Sequence, residues 1–411
     1  MTDGRLKVTR RRFLKGSAAA AAFTIVPRHV LGGAGHTPPS DTFGGALIGC
    51  GGRGGGTFGD LSRIHKLNVR RLASCDVKWV GRADNKTVYT DFRRVLERKD
   101  IDIVAIATPP HWHALISIAA MEAGKDVLCE KPMTRFIAEG RAVVESARRY
   151  GRIFQIGTYR RFGTSRSEKS RLTRKIIRSG LLKECRARYV RRGDFKVKMW
   201  SGRVDVAPKA VPPNLDWDLY CGPSPLKPFH PPRHGGTHRW YWDYEGGGLG
   251  DMGQHHLDAI TWLFGKDDTA PVTVEVSAPP AHPEVAGMWA WSKLTYADGL
   301  TLVLESGEWG QPTGLRSKGV SLADLDEAGR EKLKQMPDPE PLIGFGEAVK
   351  TRKQPGGHAE AAHRTATLMH LTNIAIRTGR KIRFDPVKEV VVGDEEANRL
   401  VNPPMRAPWH L

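Results

Sequence analysis

The chain has 411 residues, 40% of them hydrophobic and 26% charged, with a formal net charge of +20. That length exceeds what one hydrophobic core serves and points to two domains once the N-terminus is set aside. No run of 18 apolar residues occurs, which excludes a membrane-spanning helix and stable membrane insertion by one.

Residues 1–35 read as a targeting segment. Thr9-Arg10-Arg11-Arg12-Phe13-Leu14-Lys15 fits the twin-arginine signal pattern (Ser/Thr-Arg-Arg-x-Phe-Leu-Lys) at every position. A mildly apolar run from Gly16 to Val26 follows, and Pro27 ends it; it suits a signal h-region and is too short to span a bilayer. No clear A-x-A cleavage site is present. The expectation is export by the twin-arginine machinery, which carries folded proteins, to the periplasm or another extracytoplasmic space. Residues 36–42 (HTPPSDT) are linker-like.

From residue 43 to 157 short apolar runs (ALIGC, VRRLASCD, DIVAIAT, DVLCEKP, FQIGT) alternate with helical stretches such as TDFRRVLERK, HWHALISIAAMEAG and AEGRAVVESARRYG. Strands interleaved with helices predict a parallel, doubly wound sheet. Gly49-Cys50-Gly51-Gly52-Arg53-Gly54 follows the first strand and fits G-x-G-x-x-G. Gly49 permits the turn, Gly51 lets backbone approach a pyrophosphate, and Gly54 lets the next helix pack close; Gly52 and Arg53 lie between them as further cofactor contacts. Asp76 ends the next strand, near the spacing expected of a carboxylate on an adenosine ribose, which favours NAD while leaving NADP possible. The alternative is a tight turn that binds nothing.

Two more loops follow strand ends, where ligands sit in such sheets. Thr108-Pro109-Pro110-His111-Trp112-His113 supplies Thr108, Pro109 and His113 as cofactor-side candidates, although a histidine there is as readily a packing residue. Glu130-Lys131-Pro132 offers a lysine that can be partly desolvated beside a rigid proline, which can be cis.

Residues 158–411 read differently. ECRARYVRRG, PVTVEVSA, MWAWSKLTYADG and LTLVLESGEW are longer, alternating strands that predict an antiparallel or mixed sheet with one wetted face. Two helices stand out, DMGQHHLDAITWLFG stopped by Gly265 and HAEAAHRTATLMHLTNIAIRTG stopped by Gly379. Residues 160–203 hold 16 basic and 3 acidic residues at mostly alternating or helical spacing. A solvated basic face accounts for them, and no nucleic-acid partner is expected. The five cysteines form no C-x-x-C, and Cys50, Cys75 and Cys129 end apolar runs, so they read as small buried hydrophobes rather than a disulfide framework.

The densest chemistry lies in Gly246-Gly247-Gly248-Leu249-Gly250-Asp251-Met252-Gly253-Gln254-His255-His256-Leu257-Asp258. A helix starting near Asp251 puts Asp251, His255 and Asp258 on one face, where an acid one turn before a histidine can set its tautomer and raise its basicity. His255 is then a general base. Asp251 could instead cap the helix, or join His255 and one of His230, His234 or His238 around a metal. The spacings match no standard metal pattern, and no metal is expected. Trp217, Trp240, Tyr241, Trp242 and Tyr244 crowd the Pro-, Gly- and His-rich segment 208–250, with Trp200 just before it; such rings suit either a sugar or a core. Tyr159, Trp240, Trp242 and His256 are the candidate substrate contacts.

Together these elements resemble the glucose–fructose oxidoreductase / inositol dehydrogenase / MocA family. The likeness spans roughly residues 43–411 and rests on GCGGRG, ATPPHWHA, AGKDVLCEKP, DWDLYCGP and GGGLGDMGQHHLD, with a tail (DEEANRL…RAPW) similar to an exported bacterial branch. It implies an N-terminal Rossmann domain followed by an α+β domain with a large open sheet, NAD(P) held across the first domain, and a sugar or cyclitol in the cleft. It places the family's catalytic lysine on Lys131, its aspartate and histidine on Asp251 and His255, and its cis-proline on Pro132. A homodimer or tetramer follows from likeness alone. One departure is the short basic segment VKWVGRADNKTVYT after Asp76, where a longer helix is usual. The expected activity is hydride transfer between a secondary carbinol of a saccharide and a tightly held, self-recycled NAD. The rivals are a redox-assisted glycosidase or lyase working through a transient keto-sugar, and a non-catalytic sugar sensor.

Overall fold

Six strands build the first sheet: β1 (Thr42–Ile48), β2 (Asn68–Cys75), β3 (Val88–Tyr89), β4 (Ile103–Ile106), β5 (Asp126–Cys129) and β6 (Phe154–Ile156). The computed structural model describes residues 42–182, 187–193, 195 and 202–411; the twin-arginine stretch, most of the linker, Cys185 and Trp200 lie outside these. The sheet is parallel with order β3-β2-β1-β4-β5-β6. This is the doubly wound order of a Rossmann sheet, reversing between β1 and β4. Every residue of β4 and β5 is buried, which is why β4 and residues 127–129 of β5 read as unbroken apolar runs.

Five strands were expected and form; β3 is the sixth. Its two residues are too short to show any alternation. The connection from β2 to β3 contains one 3₁₀ turn (Val77–Trp79) and a loop in which Asp84 accepts backbone N–H bonds from Lys86, Thr87 and Val88. No α-helix lies there, in keeping with the short basic segment noted in the sequence.

The second sheet contains β7 (Arg188–Arg192), β8 (Thr273–Ser277), β9 (Trp291–Thr295), β10 (Thr301–Glu305), β11 (Ile382–Asp385) and β12 (Val390–Val391). Their order is β12-β11-β8-β9-β10-β7, with β7 and β10 parallel and the other pairs antiparallel. The sheet is mixed, as expected, but its strands are shorter than the alternating runs suggest because turns such as Tyr296–Gly299 cut them. Several short helices also escape the pattern. Glu168–Arg178, for example, fully buries only Ile176, with Arg174 laid over the Trp262 ring.

Two helices bind the sheets into one core. Ala359–Thr378 packs against the helix Ile137–Tyr150 and β6 on one side and β8 and β9 on the other. Sixteen of its twenty residues are buried, so it has no solvent face to pattern. Gly247–Leu263 lies across it, and a Cβ on Gly253 would fall 2.5 Å from Met369 Sδ, so that glycine permits the close crossing. Both helices stop where expected, at Gly265 (φ +66°) and Gly379 (φ +65°). The first starts earlier than expected, at Gly247, with Gly246 as N-cap. Asp251 is therefore inside the helix and does not cap it.

Asp258, which the spacing puts on one face with Asp251 and His255, belongs to the core and not to the cavity lining. Asp258 is fully buried and pairs at 2.9 Å with Arg161, itself fully buried and also paired with Asp267. Thr158 and Thr365 donate to the same carboxylate. Removing one partner of a buried pair strands the other charge. Asp258→Ala is expected to cost about 3–5 kcal/mol of stability, read from denaturant midpoints. A midpoint like that of the unsubstituted chain would show that the pair is dispensable.

Candidate functional site

A cavity of ≈ 570 Å³ opens at the C-terminal ends of β1, β2, β4 and β5, at the switch point of the first sheet. The glycine loop forms its floor. Gly49 has φ +87°, and a Cβ there would fall 2.4 Å from the Thr108 nitrogen. A Cβ on Gly54 would fall 2.1 Å from the Gly49 oxygen, so only glycine lets the helix Gly54–Arg63 seat on the loop. At Gly52, by contrast, a Cβ would meet nothing within 4 Å. This loop combines close packing behind with open space in front, beside a helix N-terminus. Those are the requirements for a pyrophosphate cradle.

Asp76 closes one end of the floor. Its carboxylate accepts from Cys50 N at 2.8 Å and Lys78 N at 3.0 Å, tying the glycine loop to the 3₁₀ turn. Phe92, Trp112, Ile116 and Leu219 give that end apolar walls. An acid beside an apolar slot fits an adenosine, so these residues suit a dinucleotide.

Arg53 links the glycine loop to the loop after β5, donating to Glu130 at 2.8 Å and to Asp60 at 2.6 Å. Thr57 also donates to Glu130, at 2.7 Å. Glu130 Oε1 is thereby occupied, while its Oε2 accepts from the Lys131 backbone N at 3.3 Å. The Lys131–Pro132 bond is cis. Lys131 Nζ donates to Asp251 Oδ1 at 2.8 Å and to the Asp251 carbonyl oxygen at 2.7 Å. Arg239 Nε donates to the same Oδ1 at 2.9 Å. Burial alone would raise the Asp251 carboxyl, but Lys131 and Arg239 outweigh it and hold the group below the usual carboxylate range.

His255 sits one turn on and lines the cavity. Burial, and then the charge of Lys131, push its pKa down to about 4. Asp251 Oδ1 serves the two cations rather than orienting His255; the Asp251 charge does favour the protonated imidazole, as expected, but burial and Lys131 outweigh it. The outcome still leaves a neutral imidazole at ordinary pH, able to accept a proton.

Of the expected cofactor contacts, Gly49, Gly51, Gly52, Arg53, Asp76, Thr108, Pro109, Glu130 and Lys131 line the cavity. Gly54, His113 and Pro132 stand behind it. His113 is buried, with its ring nitrogens 2.7 Å from the Pro132 oxygen and 2.8 Å from the Thr108 oxygen. Burial lowers its pKa, so the neutral ring donates to one of these while bracing both loops. Among the substrate candidates, only Tyr159 reaches the cavity; its hydroxyl donates to Asp60 at 3.0 Å. Trp240, Trp242 and His256 do not. Trp240 is buried against Gly202, Trp242 donates to the His282 oxygen with Arg377 over its ring, and His256 packs on Phe195 and meets Arg160 and Arg191.

His234 and His238, named in the sequence only for the metal alternative, line the cavity with Asp251 and His255. Arg239 lines it too and was not singled out; its only signal was its place in the segment 208–250. No group of three potential metal ligands converges among the described residues, and Asp251, the carboxylate of the metal alternative, is already bound by two cations.

Residues 45–158 match the family described as "Oxidoreductase family, NAD-binding Rossmann fold", and residues 167–411 match "Oxidoreductase family, C-terminal alpha/beta domain", both of the Gfo/Idh/MocA group. Residues 7–27 match the twin-arginine signal. Levoglucosan dehydrogenase of Pseudarthrobacter phenanthrenivorans is 36% identical over 93 residues, 23% of each chain. A glycosyl hydrolase family 109 protein of Shewanella pealeana is 28% identical over 172 residues, 35% of this chain and 38% of the relative. The chain thus matches well under half the length of these relatives. The WlbA dehydrogenase of Bordetella pertussis, solved with NADH and UDP-GlcNAcA, shares the fold with a TM-score of 0.53 at 16% identity, over 84% of this chain and 99% of that one.

The low pKa of His255 has a measurable consequence. As pH falls below about 6.5 the unfolded chain takes up the proton first, so stability from this group is complete above that value and is lost as pH falls towards about 4. NMR titration of His255 in the cofactor-free protein is expected to show no protonation between pH 6 and 8. A midpoint at the ordinary histidine value would contradict the electrostatic account of the site.

Proposed function

The chain belongs to the Gfo/Idh/MocA oxidoreductase family, with an NAD-binding Rossmann domain, and from that footing we propose that it moves hydride between a secondary hydroxyl of a sugar, glycoside or cyclitol and NAD. The observation that carries this reading is the convergence of Lys131, Asp251 and neutral His255 on the cavity that the glycine loop floors.

NAD, when bound, supplies the nicotinamide that accepts or returns hydride. His255 takes the hydroxyl proton on its ring nitrogen. Lys131 donates a hydrogen bond to the same oxygen and polarises the carbonyl as it forms. Asp251 positions the Lys131 amine and offsets its charge, and that charge keeps His255 in its basic form. Asp76 supports NAD over NADP, since a carboxylate there suits a ribose diol and repels a 2′-phosphate.

The twin-arginine signal implies export. We place the protein outside the cytoplasm, in the periplasm of a cell that has one, and carry forward a homodimer or tetramer. A chain exported folded can take its dinucleotide along, where no soluble pool would replace it. That supports tight binding and regeneration in place by a second sugar or within one cycle. Likeness to a glycosyl hydrolase family 109 protein supports a second reading, in which transient oxidation acidifies a ring carbon, a glycosidic bond breaks by elimination, and NADH returns the hydride. A non-catalytic sensor would have no need of the Lys131–Asp251–His255 trio.

Lys131→Ala and His255→Ala are each expected to lower turnover about 10²–10⁴-fold while the dinucleotide stays bound. The measurement is turnover of a glycoside panel by the folded protein, following both NADH and sugar products. Sugar release without net NADH would select the second reading. Near-normal turnover in both variants would overturn the assignment.

A further inference from the structure

The adenosine side of the cavity is roofed by a segment remote from the Rossmann sheet. Val80 N donates to the Asn214 oxygen at 3.2 Å, Asp216 N to the Val77 oxygen at 3.0 Å, and Asn214 Nδ2 to the Lys78 oxygen at 3.2 Å. Residues 214–216 therefore run along the turn that follows Asp76, where the first domain has no helix of its own. The short helix Trp217–Cys221 then sets Leu219 and Tyr220 in the cavity wall.

This roof is fastened to the first domain beneath it. Trp112 Nε1 lies 3.0 Å from the Leu219 oxygen and 3.1 Å from the Tyr220 oxygen, and His111 Nε2 donates to the Tyr220 oxygen at 2.7 Å. A Cβ on Gly222 would fall 2.2 Å from the Trp112 ring, so roof and ring are in close contact.

The last residues of the chain tie the two together from outside. Arg406 grips the roof: its backbone N donates to the Pro223 oxygen at 3.0 Å, and its guanidinium donates to the Gly222 oxygen at 2.9 Å, the Asp218 oxygen at 2.9 Å and Asp218 Oδ1 at 2.5 Å. Trp409 grips the floor. Its ring meets Trp112 edge-on at 4.7 Å and Phe92 at 6.4 Å, with the Arg93 guanidinium 5.3 Å from its centroid. Phe92 and Trp112 also line the cavity, so the tail packs on two residues of its apolar wall.

We infer that residues 406–411 are a strap that retains the dinucleotide. The inference rests on the reading that a dinucleotide occupies this cavity. The adenosine half leaves only when the roof lifts from the Trp112 ring, and the strap adds charge-assisted bonds and an aromatic wedge that must break first. Retention is thus built from three separate stretches of chain, the turn after Asp76, the segment 214–222 and the tail. Arg406 and Trp409 act as positioning residues without reaching the reacting atoms.

The test is dinucleotide release from the purified full chain. Release of NADH is followed by fluorescence after dilution into competing adenosine nucleotide. Trp409→Ala and Arg406→Ala are expected to release it about tenfold faster or more, since losses of this kind fall mainly on the dissociation rate. Trp409→Phe should recover much of the loss, and Val387→Ala, at an exposed site away from the cavity, should release at the rate of the unsubstituted chain. Arg406→Gln, at a partly exposed side chain, serves where Trp409→Ala fails to fold. Equal release rates in the unsubstituted and strap variants would overturn the strap alone. An unsubstituted chain that binds no NADH would overturn the cofactor reading, and the strap with it.

Discussion

The site depends on the ion pair between Lys131 and Asp251. It joins the loop after β5 to the helix Gly247–Leu263 and so fixes the two parts of the chain that face the cavity. Both side chains are largely shielded from water, which strengthens the attraction but also makes an unpaired partner costly. Neutral bonds hold the same register close by: Gln254 accepts from Met133 N at 2.7 Å and donates to the Ala362 oxygen at 2.9 Å. The charges therefore need not align the two elements by themselves. The pair can be spent on chemistry, presenting an amine that points at one place and tuning the histidine beside it.

The surrounding ionic bonds keep that pair intact. Glu130 is the nearest competing acid to Lys131, and Arg53 and Thr57 occupy its Oε1. Arg239 shares the Asp251 carboxylate from the other side. Glu130 and Asp251 favour a charged His255, but burial and the charge of Lys131 outweigh them and the ring stays neutral. A neutral base beside a hydrogen-bond donor is what a carbinol needs to lose a proton and a hydride together.

Much of the first sheet was legible in the sequence because a strand buried on both faces must be apolar throughout, as Ile103–Ile106 is. The glycine loop was legible for a related reason: Gly49 and Gly54 have no room for a side chain. The start of the helix Gly247–Leu263 was not, because a run of glycines argues against helix. Those glycines serve packing instead, with Gly246 against Asn373, Gly250 against Glu245 and Gly253 against Met369. The partner of Asp251 was hidden too. The pattern within one helix offered His255, whereas Lys131 lies 120 residues away and is brought in by tertiary structure. Trp240 and Trp242 show the same limit in reverse, since a tryptophan reads identically whether it faces a sugar or a core. Arg239 was one charge in an irregular segment, with no period to mark it.

The twin-arginine signal bears on the proposed chemistry. Under the proposal a chain exported folded carries its own dinucleotide, and the hydride taken from one substrate is returned in place. The most direct measurement uses the purified protein with its dinucleotide bound and a sugar deuterated at the oxidised carbon. In a single turnover quenched before the hydride returns, mass spectrometry of the dinucleotide should show one deuterium on the nicotinamide, and none when His255 is replaced by alanine. Keto-sugar formed in that quenched turnover beside an unlabelled nicotinamide would contradict hydride transfer at this site.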